Sequence, residues 1–551
     1  MGAEKITITF KNGDQKKVDK GTSLSSLCLL NDDILAAYLN GSLCHLDQKI
    51  YSDCFIEWIK NNEEAGARVY QRSLCLLLFT ALKELFAQKN VKIVYSVSNS
   101  FYVEPTNSGE SFSVMDINQI TDKMNFYITN NVPLKQIRMT KRDAIQEFQK
   151  HKQIGTINLI NQLEQDEVTL YSCCGLVEFL YDPTCNWAGK VSQFEILLES
   201  NGFLLRFPDF KNSEPQIPIY QKEDKLVQAF IEEDKWAKSI QCSFISDLNN
   251  YIFEGNFSEL VQKSEEKHSR KIKSIATTLC CQSQNRRVIC IAGPSSSGKT
   301  TFARRIQREL MQQGFSPLLI SIDDYFKDRK DSPQNPDGTY DFEHIEALEL
   351  DLFNRDLKAL LSGQTVNIPT FNFLEGKKEY LGEQFTLQEN GLIILEGIHG
   401  LNERLTYDIP RNKKTKIYVS ALTQLALDNH NRISTSDSRL IRRIVRDYQF
   451  RGASAERTFG MWTSVREGEK KFIFPFQNDA DILFNSATIY ELAILKKWIS
   501  PLLLKVSRDS EFNSDAQRIL NFLSYFLEGD PEIIPENSII REFIGLEEFK
   551  L

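Results

Sequence analysis

Three groups of residues could do chemistry together. Residues 293–301 read GPSSSGKTT, the pattern G-x-x-x-x-G-K-[ST]. Gly293 and Gly298 let the backbone turn its N–H groups inward onto phosphate oxygens at a helix N-terminus. Lys299 can reach the β- and γ-phosphates, and the Thr300 hydroxyl can sit on Mg²⁺. Pro294, Ser295, Ser296, Ser297 and Thr301 complete the loop around the nucleotide. The second group is acidic: one apolar run ends in Asp323-Asp324 and another in Glu396. One such acid can hold a metal ion while the other takes a proton from an attacking hydroxyl. The third group is Arg439, Arg442, Arg443 and Arg446, with Arg451 following. Charge runs are usually solvated, but beside a phosphate loop a cationic lid is at least as good an explanation.

The elements needed to position these residues are legible. Val288 to Ala292 is a buried strand, Lys299 to Gln313 a helix stopped by Gly314, and Leu318 to Ile322, Leu392 to Leu395 and Lys416 to Val419 are further strands. Strands alternating with helices predict a doubly wound parallel sheet. Ligands of such sheets bind beyond the carboxyl ends of the strands, which places Asp323 and Glu396 before the γ-phosphate. Other uses of a phosphate loop fit less well. No N-K-x-D follows, as a GTPase switch requires. Leu361-Ser-Gly-Gln364 lacks one glycine of a transporter ATPase signature and reads better as the end of a helix from Glu349 to Leu361, capped by Gly363.

The 551 residues carry a net charge of −8, which argues against a general nucleic-acid coat. Eleven cysteines without a C-x-x-C pair read as reduced thiols, and no apolar run is long enough to span a bilayer. A cytoplasmic location is expected, with no membrane partner. Residues 1–62 read as short strands and tight turns with one helix. Residues 63–225 are mixed α+β, residues 226–285 a charged helical connector, and residues 286–551 the phosphate-loop domain.

The motifs GPSSSGKTT, SIDDYF, YDFEH, IPTFNF, LEGIHGLN and RRIVRDYQFRG occur in that order, from Arg286 to about residue 505. Together they resemble the uridine kinase and phosphoribulokinase family. The runs DFEHIEAL, SALTQL, HNRIS, IFPFQ and FNSA look like a bacterial-type nucleoside kinase branch with an N-terminal extension. Residues 4–62 resemble TGS, the small β-grasp domain of threonyl-tRNA synthetase, and the next unit resembles that enzyme's second, editing domain. The editing motif's two zinc-site histidines are replaced in Arg72-Ser73-Leu74-Cys75-Leu76, which implies a retained fold without the hydrolytic site.

The resemblance implies a P-loop kinase that moves the γ-phosphate of ATP to the 5′-hydroxyl of a ribonucleoside with Mg²⁺. It implies Asp323 as general base, Glu396 with Thr300 at the metal, and Asp341 on the ribose hydroxyls. It places Phe371 on the base, Arg443 near the acceptor, and Arg446 and Arg451 on the ATP phosphates. Three departures stand out: no histidine in Leu374-Glu-Gly-Lys377, Phe371 in place of a tyrosine, and Ala453 in place of an arginine; the first two remove polar groups that read the base. The alternatives are a related kinase for a sugar phosphate or pantothenate-like acceptor, or an RNA-associated regulator with a P-loop sensor. RNA contact through the N-terminal domains and homo-oligomerisation are both compatible with the chain.

Overall fold

The computed structural model describes residues 4–28, 33–107, 109–210, 215–334, 338, 340–372 and 375–545. Residues 211–214, within the unit expected to be mixed α+β, and Leu374, within the altered tetrapeptide, lie outside the described residues.

The alternating run Lys5–Phe10 pairs antiparallel with Gln15–Asp19 through a turn at Gly13, whose φ of 87° suits glycine. These strands belong to a mixed five-stranded sheet. Its order is Gln15–Asp19, Lys5–Phe10, Cys54–Lys60, Ile34–Leu39, Ser42–Cys44, with Lys5–Phe10 and Cys54–Lys60 parallel. The short helix Leu24–Leu27 buries Leu24 against it.

The following unit is built around the helix Glu64–Leu85, whose middle is apolar on nearly every side and correspondingly buried. A four-stranded antiparallel sheet (Glu195–Glu199, Gly202–Arg206, Ser100–Pro105, Val91–Val97) and a three-stranded one (Leu176–Glu178, Glu167–Cys173, Lys135–Thr140) accompany it. Within that unit, the Arg72 guanidinium lies 4.4 Å over the Tyr181 ring and Leu76 is fully buried.

Residues 226–285, expected to be a connector, are built into the C-terminal core instead. They form the helices Asp224–Ser239, Ile245–Phe253 and Phe257–Gln282. Phe257–Gln282 buries Leu260, Val261, Ile272, Ile275, Ala276 and Leu279 in the cluster that also holds Phe302, Ile306 and Leu310 of the helix Lys299–Gln312. Arg305 donates to Ser269 Oγ at 3.0 Å across that contact. Charged residues on its outer face make this helix read as exposed, while its apolar stripe is what packs.

The C-terminal sheet has five strands, all parallel, in the order Ser316–Ser321, Gly391–Glu396, Val288–Ala292, Lys414–Ser420, Ile482–Asn485. Helices cover it, so its central strands are nearly continuous apolar runs. Lys414 and Lys416 are the exceptions. Both are fully buried, and both ammonium groups reach Glu403.

Candidate active site

The strand Val288–Ala292 delivers the chain to the phosphate loop at the carboxyl edge of the sheet. A Cβ on Gly293 would stand 1.9 Å from the Val419 carbonyl oxygen, so only glycine fits there. Gly298, with φ of 78°, turns the chain left-handed into the helix Lys299–Gln312 and aims the helix N-terminus at the loop. Lys299 Nζ donates to the Pro294 carbonyl at 3.1 Å, and the hydroxyls of Ser296 and Ser297 are buried without a hydrogen-bond partner.

Asp323 and Glu396 follow neighbouring strands and converge on this lysine. Burial pushes the Asp323 carboxyl up, while Lys299 and then Arg451 attract its charged form. Glu396 is pushed up to about 7 by burial; Lys299 opposes this, and the charge of Asp323 adds to it. The Thr300 hydroxyl hydrogen-bonds Glu396. Thus the hydroxyl and carboxylate expected at a metal touch one another, as oxygen donors for a hard cation should. Asp324, next in sequence, is turned away and accepts the Phe371 N–H at 3.2 Å.

The arginine helix Thr435–Arg451 divides by depth. Arg439 and Arg442 lie beneath the loop. Arg439 donates to the Ser295 carbonyl at 3.0 Å and pairs with Glu469, which itself accepts the Ser295 N–H at 2.9 Å. Arg442 donates to the Ser296 carbonyl at 3.3 Å and to Glu491 at 2.6 Å. Arg443, Arg446 and Arg451 gather around the buried carboxylate of Asp447, at 3.3, 2.8 and 3.5 Å. Arg443 also donates to Ser295 Oγ at 2.6 Å, which ties this cluster to the loop.

The acceptor-side residues are placed less uniformly. Asp341 accepts the N–H of Glu343 at 3.1 Å, so its carboxylate serves its own loop. It is Glu343 that shares the field of Asp323, Arg443 and Lys299, its carboxyl pushed up to about 7 by burial and by Glu469. Phe371 is 8% exposed, and its ring meets that of Phe326 edge-on at 5.6 Å between centroids. It backs the site wall with little free face for a base to stack on.

Sequence reasoning missed Glu343, Asp447, Glu469 and Glu542. The first two stand inside quoted motifs: Glu343 in YDFEH, two residues after Asp341, and Asp447 in RRIVRDYQFRG, where an acid among arginines is itself a signal. Glu542 has no such signal. Its Oε2 accepts both the Thr301 N–H at 3.1 Å and the Thr301 hydroxyl at 2.7 Å.

A parallel sheet ending in a phosphate loop, with two acids and an arginine cluster at its mouth, defines a P-loop phosphotransferase. Residues 288–493 match the phosphoribulokinase/uridine kinase family. The chain is similar to a uridine kinase of Halobacterium salinarum, 31% identical over 197 residues, which are 35% of this chain and 78% of that protein. It is also similar to a uridine kinase of Staphylococcus aureus, 30% identical over 208 residues, 38% of this chain and 91% of that one. A possible uridine kinase from Bacillus stearothermophilus is a solved structure that aligns at 16% identity over 39% of this chain and all of that one, with a TM-score of 0.26. Through its C-terminal region the chain belongs to the phosphoribulokinase/uridine kinase family, and it is a phosphotransferase.

Proposed function

We propose that this protein transfers the γ-phosphate of ATP to the 5′-hydroxyl of a ribonucleoside. The observation that carries the reading is that Asp323 and Glu396 stand at the carboxyl ends of neighbouring parallel strands, beside the strand that leads into the phosphate loop. In it, backbone N–H groups of residues 293–301 cradle the ATP phosphates, and Lys299 neutralises charge that builds on the γ-phosphoryl group. Asp323 orients the acceptor hydroxyl and takes its proton as the oxygen attacks in line with the leaving phosphate. Arg443, Arg446 and Arg451, held by Asp447, supply further positive charge. Seated around the phosphates, they also exclude water that would otherwise compete as acceptor.

Thr300 and Glu396 would hold Mg²⁺, which when bound neutralises phosphate charge. The raised carboxyl of Glu396 fits that role, because a cation favours the ionised form that burial disfavours. On the acceptor side, Asp341 would order the loop that presents Glu343, and both acids are suited to ribose hydroxyls. The missing histidine and Phe371 in place of a tyrosine support a broad base preference, since fewer polar groups are left to reject the wrong base. The relatives named uridine kinase support uridine or cytidine within that range.

The front half is read as a TGS-like domain over residues 1–62 and a synthetase second-domain-like unit over 63–225, with the kinase domain over 286–551. The mixed five-stranded sheet and the α+β unit around Glu64–Leu85 support it. RNA is the partner class this reading assigns to that half. Among the described residues no helix is long and apolar enough to cross a membrane, which is compatible with a cytoplasmic place.

The test is Asp323→Asn. Transfer should fall by about 10²–10⁴-fold, the usual worth of a general base, with ATP binding kept. Near-normal turnover would remove Asp323 from that role.

A further inference from the structure

Glu542 stands at the site without a part in the reaction. It comes from the C-terminal end of the chain, 241 residues beyond Thr301, yet both are almost completely buried and the carboxylate takes two hydrogen bonds from that threonine. Thr301 is the third residue of the helix Lys299–Gln312, and its N–H is one of the free amides at the helix N-terminus. In a phosphate loop such amides bind the nucleotide's phosphates. A carboxylate held there occupies an anion position that a phosphate needs.

The rest of the segment is seated just as firmly. A Cβ built on Gly298 would meet Ile539 Cγ2 at 2.6 Å, so this isoleucine lies directly on the phosphate loop. Ile539, Ile540 and Phe543 are fully buried. The guanidinium of Arg442, which also binds the Ser296 carbonyl, lies 4.9 Å over the Phe543 ring. At its upstream end the Ser538 hydroxyl donates to Glu265 at 2.6 Å. The segment therefore touches three things together: the first turn of the phosphate-loop helix, the loop itself, and the arginine helix.

Resting on the reading that this loop binds ATP, we propose that residues 538–545 form a built-in plug, in which Glu542 competes with a nucleotide phosphate for Thr301. ATP and the plug then exclude each other, and apparent nucleotide affinity is the intrinsic affinity reduced by the fraction of molecules with the plug withdrawn. Because Phe543 leans on Arg442, withdrawal also frees one side of the helix that carries Arg443, Arg446 and Arg451.

The experiment is equilibrium binding of a fluorescent ATP analogue, with ATP as competitor, to the full chain, to Glu542→Ala and to Glu542→Gln, with melting temperatures measured in parallel. Both point variants leave the apolar anchors Ile539, Ile540 and Phe543 in place. Affinity for ATP should rise about tenfold or more in Glu542→Ala and by less in Glu542→Gln. Adding Lys299→Ala to Glu542→Ala should abolish the gain, which ties it to the phosphate loop. A variant that melts lower while binding ATP as the parent does, or more weakly, would show Glu542 to be only a helix cap and would overturn the plug. Absence of ATP binding by parent and variants alike would overturn the nucleotide reading of the loop, and the plug with it.

Discussion

Asp447→Asn tests whether the arginine cluster is organised from below by a single carboxylate. Asp447 is 1% exposed, and its oxygens lie 3.3 Å from Arg443, 2.8 Å from Arg446 and 3.5 Å from Arg451. Arg451 is well exposed, so its share is below about 1 kcal/mol. Arg443 and Arg446 are largely buried, and stranding buried guanidinium groups without their anion costs about 3–5 kcal/mol. Asparagine keeps the shape and one oxygen acceptor, so about 2–4 kcal/mol of stability should be lost, within reach of a domain's total. Catalysis should suffer separately, because Arg443 and Arg446 lose the anchor that fixes their direction. A misdirected cation at a developing phosphoryl charge costs about 10²–10³-fold in kcat/KM. The assay pairs urea unfolding with ATP-dependent transfer kinetics well below the melting temperature. Unchanged stability together with unchanged kcat/KM in Asp447→Asn would refute the view that this carboxylate positions the cluster.

Gly293→Ala should weaken nucleotide binding by more than about tenfold, since its Cβ would stand 1.9 Å from the Val419 carbonyl and the loop backbone must shift; titration with ATP measures it. Burial holds the Glu396 carboxyl at about 7, above its unfolded value of 4.5. Its contribution to stability is therefore fully present below pH 4.5 and lost as pH rises through 7. Unfolding of metal-free parent and Glu396→Gln between pH 5 and 8 should show the variant gaining on the parent by about 2–3 kcal/mol as pH rises; a variant that loses ground to the parent as pH rises has the sign wrong.

Much of the kinase scaffold is legible because a parallel sheet covered on both faces demands unbroken apolar strands. Val288–Ala292 and Gly391–Glu396 are written that way. Lys414–Ser420 carries two buried lysines whose ammonium groups are received by Glu403, Thr406 and the Leu401 carbonyl, so the strand reads only from Lys416 and its first two residues do not. Ile482–Asn485 is too short for its four residues to outweigh the polar neighbours. The helical stretch before the phosphate loop is misread as a connector because exposed charge outnumbers its buried stripe, although Glu265 and Ser269 face Arg305 across the contact.

The candidate site divides in the same way. The residues expected on the donor side lie in one loop, two strand ends and one helix, so local sequence is enough to group them. The acceptor side depends on how an irregular loop turns. There the order Asp341, Phe342, Glu343 does not reveal which acid faces Lys299, and the structure brings Glu343 into that field. Glu542 depends on a contact across most of the C-terminal region, which no local pattern records.

The central claim is that the phosphate held by this loop moves to a nucleoside. The most direct measurement is transfer of label from γ-labelled ATP to uridine, cytidine, adenosine, guanosine and inosine by the full chain, with the 2′-deoxy form of each active acceptor alongside. A labelled 5′-monophosphate should form from at least one ribonucleoside, with weaker transfer to its deoxy counterpart and loss of both in Asp323→Asn. No labelled monophosphate from any nucleoside would contradict the claim.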